Sequence, residues 1–309
     1  MEPLTRAGLH GTWAAVLLPV GDDNTIDLGR LDTELEVLVG SPVDGVYTNG
    51  TAGEFHAIGE DEYDALSALV ARRCTAAGKP FQLGASHMSG DVSLGRVRRA
   101  LGYEPSGVQV ILPDWCPLND DEVVAAVEGF AAAAAPLPIT LYNPPNARTC
   151  VTPRLYGVLA ERVLQLVGIK VAGGDAAWFR EMNEHAPGLA IFVAGHRLAS
   201  GVEFGAAGAY SNVACLSPAG AASWYATMTT DPGHAGDLEQ RINIFLEEHI
   251  LSLRREGYCD AALDKTLAAI GDWAPIGTRT RWPFRFVDPG RVPALREVAR
   301  EQLPELVGP

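Results

Sequence analysis

The sequence predicts an α/β fold, a closed (β/α)₈ TIM barrel followed by a C-terminal helical extension. Short apolar runs rich in Val, Ile, Leu and Tyr recur along the chain, each closed by a turn signal and followed by a helix-like stretch. There are eight such runs, and eight strand–helix units of one parallel sheet close into a barrel. About ninety residues then remain, too many for one closing helix.

The runs predicted as strands follow one another in chain order, at 13–20, 45–48, 81–85, 107–112, 139–142, 167–171, 190–194 and 209–213. Segments 62–77 and 122–135 are Ala-rich with charges on one face, which indicates amphipathic helices. A doubly wound sheet would need a glycine-rich phosphate-binding turn after an early strand, and none follows Val20 or Thr48. The first run is too short to span a membrane, and the turn cluster after it favours a buried strand over a signal peptide.

The chain divides, on this interpretation, into a catalytic barrel of residues 1–216 and a closing helix with a helical extension in residues 217–309. Residues 237–255 carry apolar side chains at helical spacing, and 291–303 end the chain in the same way. The length of 309 residues also fits two domains of ordinary size.

Composition excludes several classes of function. The chain has 24 Lys and Arg against 38 Asp and Glu, a net charge of −14 that repels nucleic acid and anionic membrane surfaces. Its five cysteines are widely spaced and form no CxxC pair, and its seven histidines show no metal-ligand spacing. We therefore expect a cytoplasmic protein that needs no metal or other cofactor.

The three lysines can be weighed one by one. Lys79 lies in a helix-to-strand turn and Lys265 in a polar helical stretch, and both are predicted to be ordinary surface residues. Lys170 interrupts an apolar run near the carboxyl end of the sixth strand, where active sites of such barrels lie. Burial there would lower the pKa of its amine and prepare it to attack a carbonyl carbon. The alternative is a lysine paired with a buried acid.

Two further segments end strands at the same mouth of the barrel. Tyr142 closes the fifth strand, where its hydroxyl could face the Lys170 amine and relay protons, or where its ring could simply cap the barrel. The loop of residues 48–54 has two glycines whose neighbouring amides, with the Thr51 hydroxyl, suit a carboxylate. Thr51 as a helix N-cap is the alternative. Lys170, Tyr142 and Thr51 are the candidate catalytic residues.

Three motifs together resemble the dihydrodipicolinate synthase and N-acetylneuraminate lyase family, namely residues 50–54 (GTAGE), 142–145 (YNPP) and 168–170 (GIK). The resemblance covers the whole barrel. It implies a metal-free class I aldolase or lyase, in which Lys170 forms an imine with pyruvate or a related 2-keto acid and Tyr142 relays protons. It also implies that Gly50, Thr51 and Ala52 hold the keto-acid carboxylate, that the Tyr210 carbonyl lies near the pyruvate methyl, and that the chain is a homo-oligomer, a dimer or tetramer.

Four departures from the family pattern concern the substrates, and the one at Ala52 removes a hydrogen bond to the keto-acid carboxylate. Ala52 replaces a second hydroxyl residue, and Trp115 stands where the synthases have a tyrosine that is donated across a subunit interface. Arg148 falls one residue later than the substrate-binding arginine, and Val171 replaces a frequent acidic residue. Because indole cannot relay a proton as a phenol does, these departures weaken the case for a lysine-pathway synthase.

Asp114, Trp115, Arg148 and His196 are the residues predicted to contact the partner of the keto acid, an aldehyde or a sugar acid. His196, which ends the seventh strand, could instead be an ordinary surface histidine. Three functions stay open. The first is a Schiff-base lyase, aldolase or dehydratase. The second is 4-hydroxy-tetrahydrodipicolinate synthase, which condenses pyruvate with aspartate semialdehyde, and the third is a non-catalytic barrel that binds a keto acid.

Overall fold

The computed structural model describes residues 1–113 and 115–308. Eight parallel strands close into a barrel in the order of the chain. They are β1 (Gly11–Ala15), β2 (Gly45–Tyr47), β3 (Phe81–Gly84), β4 (Gly107–Ile111), β5 (Ile139–Tyr142), β6 (Leu166–Lys170), β7 (Ala190–Ala194) and β8 (Gly208–Ser211). The predicted TIM barrel is therefore confirmed.

Helices follow each strand and continue beyond the last one. Those around the barrel are α1 (Leu28–Gly40), α2 (Glu60–Ala77), α3 (Gly90–Ala100), α4 (Asp120–Ala134), α5 (Pro153–Arg162), α6 (Ala176–His185), α7 (Leu198–Glu203) and α8 (Val213–Leu216). Their starts have local causes. Asn119 caps α4 by accepting from the Glu122 amide at 3.0 Å, while the Glu122 side chain accepts from the Asn119 amide.

The first predicted strand, 13–20, is longer than the observed one. Ala15 pairs with Tyr47 and Ala14 with Ser211, which are the last residues of β2 and β8. Because both neighbours end there, the chain beyond Ala15 has no strand to pair with on either side, although it stays apolar and buried. The apolar pattern predicted the burial of this segment correctly, but it did not predict the residue at which strand pairing ends.

The C-terminal part is helical, as predicted. Its helices are α9 (Pro218–Thr230), α10 (Pro232–Phe245), α11 (Leu251–Arg255), α12 (Asp260–Gly271), α13 (Val292–Gln302) and α14 (Pro304–Val307). A single π turn, Leu246–Ile250, joins α10 to α11. Helix α12 packs on α8, so its first residues reach the carboxyl end of the barrel.

A helix that crosses a membrane must be long and apolar. No helix within residues 1–113 and 115–308 has both properties.

Candidate active site

A cavity of about 530 Å³ lies at the carboxyl ends of the strands, between the barrel and the C-terminal helices. Its size is within the range of small-molecule sites, about 300 to 1,000 Å³. Lys170 and Tyr142 both line it, and they are the final residues of β6 and β5. Strand pairing aligns the two residues side by side, so the strand register alone brings them together.

The Lys170 amine is surrounded by aromatic rings. Its Nζ lies 4.1 Å from the ring centroid of Tyr142, 4.6 Å from that of Tyr47 and 5.3 Å from that of Tyr210. It also donates a hydrogen bond of 3.4 Å to the Tyr47 hydroxyl. Burial lowers the pKa of Lys170 to about 8, while the charge of Asp264 opposes this shift. A substantial fraction of the amine is therefore unprotonated and nucleophilic near neutral pH.

Tyr142 presents its ring face to the lysine and its hydroxyl to the loop after β2. The hydroxyl lies 3.3 Å from the Thr51 Oγ1, within hydrogen-bond distance. Burial raises the pKa of Tyr142 to about 12, and the hydrogen bond to Thr51 offsets part of this rise. The hydrogen bond of the amine goes to the Tyr47 hydroxyl, whereas the Tyr142 hydroxyl lies within hydrogen-bond distance of Thr51. Thr51 does not cap a helix, because α2 begins after Gly59.

The loop between β2 and α2 closes tightly over the lysine. A Cβ atom at Gly50 would lie 3.0 Å from the Tyr47 ring and 3.7 Å from the Lys170 Nζ. Gly50 therefore lets the backbone approach the amine closely. Ala52 is buried and lines the cavity with Thr51.

Glu54 lies within this loop and anchors it to the C-terminal extension. Its backbone adopts a left-handed conformation with φ of 50°, and its fully buried carboxylate forms an ion pair with Lys265. The second carboxylate oxygen accepts from the Arg281 amide at 2.7 Å. The position of the loop thus depends on contacts from α12 and the segment that follows it.

The prediction that Lys265 is a surface residue is wrong. Its side chain is fully buried, and its Nζ donates to the Arg279 carbonyl at 2.6 Å in addition to pairing with Glu54. A lysine paired with a buried acid was the alternative interpretation of Lys170. The structure has such a pair at Lys265 instead. Lys79 is only partly buried, and its Nζ donates to the Ser41 and Val43 carbonyls, both at 2.8 Å.

Tyr210 lies on β8 beneath the lysine, inside the barrel. Its hydroxyl donates to Gln82 Oε1 at 2.7 Å, and Gln82 donates in turn to Thr140 at 3.4 Å. The ring lines the floor of the cavity and packs edge-on against Tyr47, with centroids 4.8 Å apart. The barrel interior below Lys170 therefore contains a polar network rather than only aliphatic side chains.

His196 is partly buried and lines the same cavity. Its Nδ1 lies 3.2 Å from Asn212 Oδ1, and burial lowers the pKa of its ring. The imidazole is consequently neutral at pH 7 and fixed beside the barrel mouth, not an exposed surface group.

A second cavity of about 410 Å³ lies across Thr51 from the first. Trp115 and Arg148 line it together with Phe55, Met88 and Phe284, so its wall is largely apolar and aromatic. The Trp115 side chain is 77% exposed, and Arg148 donates to the Trp115 carbonyl at 2.9 Å. The predicted contacts of the second substrate are thus divided, with His196 in the first cavity and Trp115 and Arg148 in the second. Asp114 lies outside the described residues.

Four residues close to Lys170 were not identified from the sequence. Tyr47, Cys215, Asp260 and Asp264 all line the first cavity. Tyr47 ends β2 as Tyr142 ends β5, so the rule that strand ends face the mouth could have found it. Burial holds Cys215 as a thiol by raising its pKa well above the usual range. Asp260 and Asp264 lie four residues apart on one face of α12. No feature of the sequence indicated that they would reach the cavity.

The π turn contributes the wall opposite the strands. Leu246, Glu247 and Ile250 line the cavity, and Arg254 follows on α11. Arg254 forms an ion pair with Asp260. Among residues 1–113 and 115–308, no group of three or more His, Cys, Asp or Glu side chains could hold a metal ion.

The chain is similar to known proteins along most of its length. The model of the dihydrodipicolinate synthetase family matches residues 8–255. An uncharacterized DapA-like lyase of Halobacterium salinarum is 29% identical over 216 residues, which cover 68% of this chain and 69% of that protein.

Two further relatives match about half of each chain. A trans-O-hydroxybenzylidenepyruvate hydratase-aldolase of Sphingobium xenophagum is 27% identical over 53% of this chain and 52% of its own length. A 4-hydroxy-tetrahydrodipicolinate synthase of Xanthomonas campestris is 30% identical over 54% of this chain and 55% of its own length.

The fold is also similar to solved structures. A prophage protein of the dihydrodipicolinic acid synthase family from E. coli K12, solved in complex with pyruvate, superposes with a TM-score of 0.83. The two sequences are 19% identical, and the superposition covers 95% of this chain and 98% of the other.

Proposed function

Because this chain belongs to the dihydrodipicolinate synthetase family, whose members are lyases and aldolases, we propose that it forms an imine between Lys170 and pyruvate or a related 2-keto acid. The imine would then serve cleavage or formation of the adjacent carbon–carbon bond, or loss of water from a hydroxylated substrate. No metal takes part in the proposed reaction.

The observation that carries this proposal is the environment of Lys170. Its amine lines a cavity, has a pKa of about 8 and forms no ion pair in the described part of the chain. At pH 7 roughly a tenth of such an amine is unprotonated, against roughly 1 part in 3,000 for a lysine of pKa 10.5. The other two lysines are engaged by backbone carbonyls or by Glu54.

The reaction begins when the unprotonated amine attacks the keto carbon and a carbon–nitrogen bond forms. Loss of the former carbonyl oxygen as water gives a positively charged imine, which accepts the electron pair of the bond that breaks at the neighbouring carbon. Tyr142 can exchange a proton with the substrate through its hydroxyl, and the Thr51 hydroxyl at 3.3 Å extends this path.

The carboxylate of the keto acid is assigned to the loop after β2. Gly50, Thr51 and Ala52 lie beside Lys170, and Gly50 allows the backbone to approach the Nζ closely. The Thr51 hydroxyl and the loop amides are donors of the kind that binds a carboxylate. Tyr210 lies below, and its carbonyl is assigned to the side of the pyruvate methyl.

The second substrate, an aldehyde or a sugar acid, is assigned to the space beyond Thr51. His196 borders the first cavity, whereas Trp115 and Arg148 border the second. We favour a lyase, aldolase or dehydratase over the synthase, because an exposed indole stands at the place of the second tyrosine. Relatives of both kinds are similarly distant in sequence, so the choice depends on this residue and on Ala52, Arg148 and Val171.

Borohydride trapping tests the proposal. Incubation of the chain with pyruvate and borohydride, followed by peptide mapping, should place one reduced adduct on Lys170. The matched control is Lys170→Met, which keeps the side-chain length and should give no adduct. An adduct on Lys79 or Lys265 instead, or no adduct at all, would overturn the assignment.

Turnover separates the three functions. Release of pyruvate from a set of hydroxylated keto acids and sugar acids identifies a lyase, whereas condensation of pyruvate with aspartate semialdehyde identifies the synthase. Trapping at Lys170 without any turnover identifies a keto-acid-binding barrel. We also expect a homo-oligomer, a dimer or tetramer, in the cytoplasm.

A further inference from the structure

The first turns of α12 bring two carboxylates to the cavity of Lys170, and they are not equivalent. Asp260 forms an ion pair with Arg254. Asp264 lines the same cavity but has no hydrogen bond and no ion pair within 4.0 Å in the described part of the chain. One acid of the pair is therefore neutralised by a cation, and the other lines the cavity without a partner among the described residues.

Asp264 and Lys170 are close but not in contact. Each alters the pKa of the other, so their charges interact across the cavity. They nevertheless form no ion pair within 4.0 Å among the described residues. A molecule bound covalently to Nζ would occupy the cavity that both side chains line.

Asp264 has no evident structural task. It is the fifth residue of α12, beyond the amides of the first turn that an acidic side chain would stabilise. The neighbouring Lys265 uses Glu54 as its partner and does not need Asp264. Asp264 is a partly buried carboxyl group without a partner among the described residues, which points to a role in the cavity.

We propose that Asp264 is a second acid–base residue of this site, which protonates the hydroxyl that leaves when the Lys170 adduct loses water and then faces the positively charged imine. This proposal rests on the proposed function, because it requires imine formation on Lys170. The step is balanced: the carbon–oxygen bond breaks, the Asp264 proton leaves with the oxygen as water, and the carboxylate remains opposite the imine cation. Hydrolysis of the imine reverses each transfer.

The electrostatics suit this role better for Asp264 than for Tyr142. Burial and the charge of Asp260 raise the pKa of Asp264 to about 7, while Lys170 and Arg254 oppose the rise. A group with a pKa near the working pH transfers protons most efficiently. The pKa of Tyr142 is about 12, and its hydroxyl is engaged with Thr51.

The other titratable groups around the carboxylate do not compete for this role. Cys215 of α8 and Tyr47 of β2 both have a pKa raised well above its usual value by burial, so they stay neutral. Arg254 remains charged and bound to Asp260. His196 lines the same cavity, but burial lowers the pKa of its ring, so its protonation acts only on the acidic side of the profile. Above neutral pH the profile therefore depends on Lys170 and Asp264 among the described cavity residues.

Oxygen exchange tests the proposal without any second substrate. Imine formation and hydrolysis exchange the keto oxygen of pyruvate with ¹⁸O-labelled water, and mass spectrometry measures the rate between pH 5.5 and 10 in excess of the uncatalysed exchange. If Asp264 must be protonated and Lys170 unprotonated, the rate is bell-shaped, with limbs near the pKa values of about 7 and 8. If Asp264 only balances charge, the rate rises through one limb and stays high.

Three variants and one control identify the residue that causes the basic limb of the profile. Asp264→Asn should lose it and exchange oxygen roughly 10² to 10⁴ times more slowly at the optimum. Asp264→Glu, which keeps a carboxyl group, should retain the bell shape. Asp260→Asn on the same helix face should also retain it, with the acidic bend moved to lower pH, because the charge of Asp260 raises the pKa of Asp264. Asp61→Asn, at an exposed position in the first turn of α2, should behave as the unaltered chain.

The outcomes separate this inference from the proposed function. A single rising limb in the unaltered chain, or a bell shape that survives in Asp264→Asn, overturns the role of Asp264 even when Lys170 is trapped by borohydride. Loss of the basic limb in Asp260→Asn instead also overturns it. Absence of both trapping and oxygen exchange contradicts the proposed function itself. Should Asp264→Asn not fold, the profiles of the unaltered chain and of Asp264→Glu decide.

Discussion

Replacing Lys170 by methionine should make the folded protein more stable while abolishing its reaction. Burial lowers the pKa of this amine from 10.5 to about 8, which corresponds to a loss of about 3 kcal/mol at pH 7. The rings of Tyr47, Tyr142 and Tyr210 attract the ammonium, and this attraction offsets part of the loss of stability. We therefore expect a gain of about 1 to 3 kcal/mol in the free energy of unfolding for Lys170→Met at pH 7.

The stability gain of Lys170→Met should fall as the pH rises. Below pH 8 the lysine is protonated in both the folded and the unfolded chain, so the full penalty is present. Between pH 8 and 10.5 the folded chain releases this proton before the unfolded chain does, and the stability of the unaltered protein rises. The advantage of Lys170→Met should accordingly fall by more than half by pH 9.5.

Lys265→Met is the matched contrast. Methionine at this position leaves the fully buried Glu54 carboxylate without its cation, and breaking a buried pair in this way costs about 3 to 5 kcal/mol. The same substitution at these two lysines is thus expected to change stability with opposite signs.

Urea unfolding followed by circular dichroism at pH 7 and pH 9.5 measures these differences, and thermal unfolding should agree. For a chain of 309 residues, about 1 kcal/mol shifts Tm by roughly 1.5 °C. A loss of stability in Lys170→Met at pH 7, or an advantage that persists unchanged at pH 9.5, would contradict the reasoning that the Lys170 amine is desolvated and has no ion-pair partner.

Two further predictions concern the residues around the lysine. Tyr142→Phe removes only the hydroxyl that lies within hydrogen-bond distance of Thr51. Steady-state kinetics should therefore show a kcat lower by roughly 10² to 10⁴-fold, with KM little changed. An unaltered kcat would exclude this hydroxyl from proton transfer. Trp115→Tyr should not raise condensation of pyruvate with aspartate semialdehyde in a coupled synthase assay, because one phenol does not replace the contacts altered at Ala52, Arg148 and Val171. A large gain would favour the synthase.

The fold could be predicted because its determinants are local. Each strand is a short apolar run closed by a turn, and the eight runs coincide with the eight strands to within a few residues, apart from the long first run. Lys170 was identifiable for the same reason, since a charge within an apolar run stands out. The end of β1 was not, because it depends on where β2 and β8 stop.

The errors at the site arise from contacts between segments distant in sequence. Lys265 lies in a polar helical stretch that resembles an exposed face, and its burial follows only from the position of Glu54. Asp264 precedes it and looks equally ordinary. Arg148 and Trp115 were grouped with His196 because all three follow strands, yet the Thr51 loop separates their cavities.

The π turn between α10 and α11 gives this cavity a simple route to divergence. A turn closed by i→i+5 hydrogen bonds holds one residue more than an α-helical turn, so the helices on both sides keep their register when that extra residue is present or absent. Deletion of one residue within Leu246–Ile250 would turn the π turn into an α-helical turn and change this wall of the cavity, while the barrel and Lys170 stay unchanged. Substrate range in a lineage of such proteins can therefore change by single in-frame insertions and deletions in the extension, with the catalytic strands left intact.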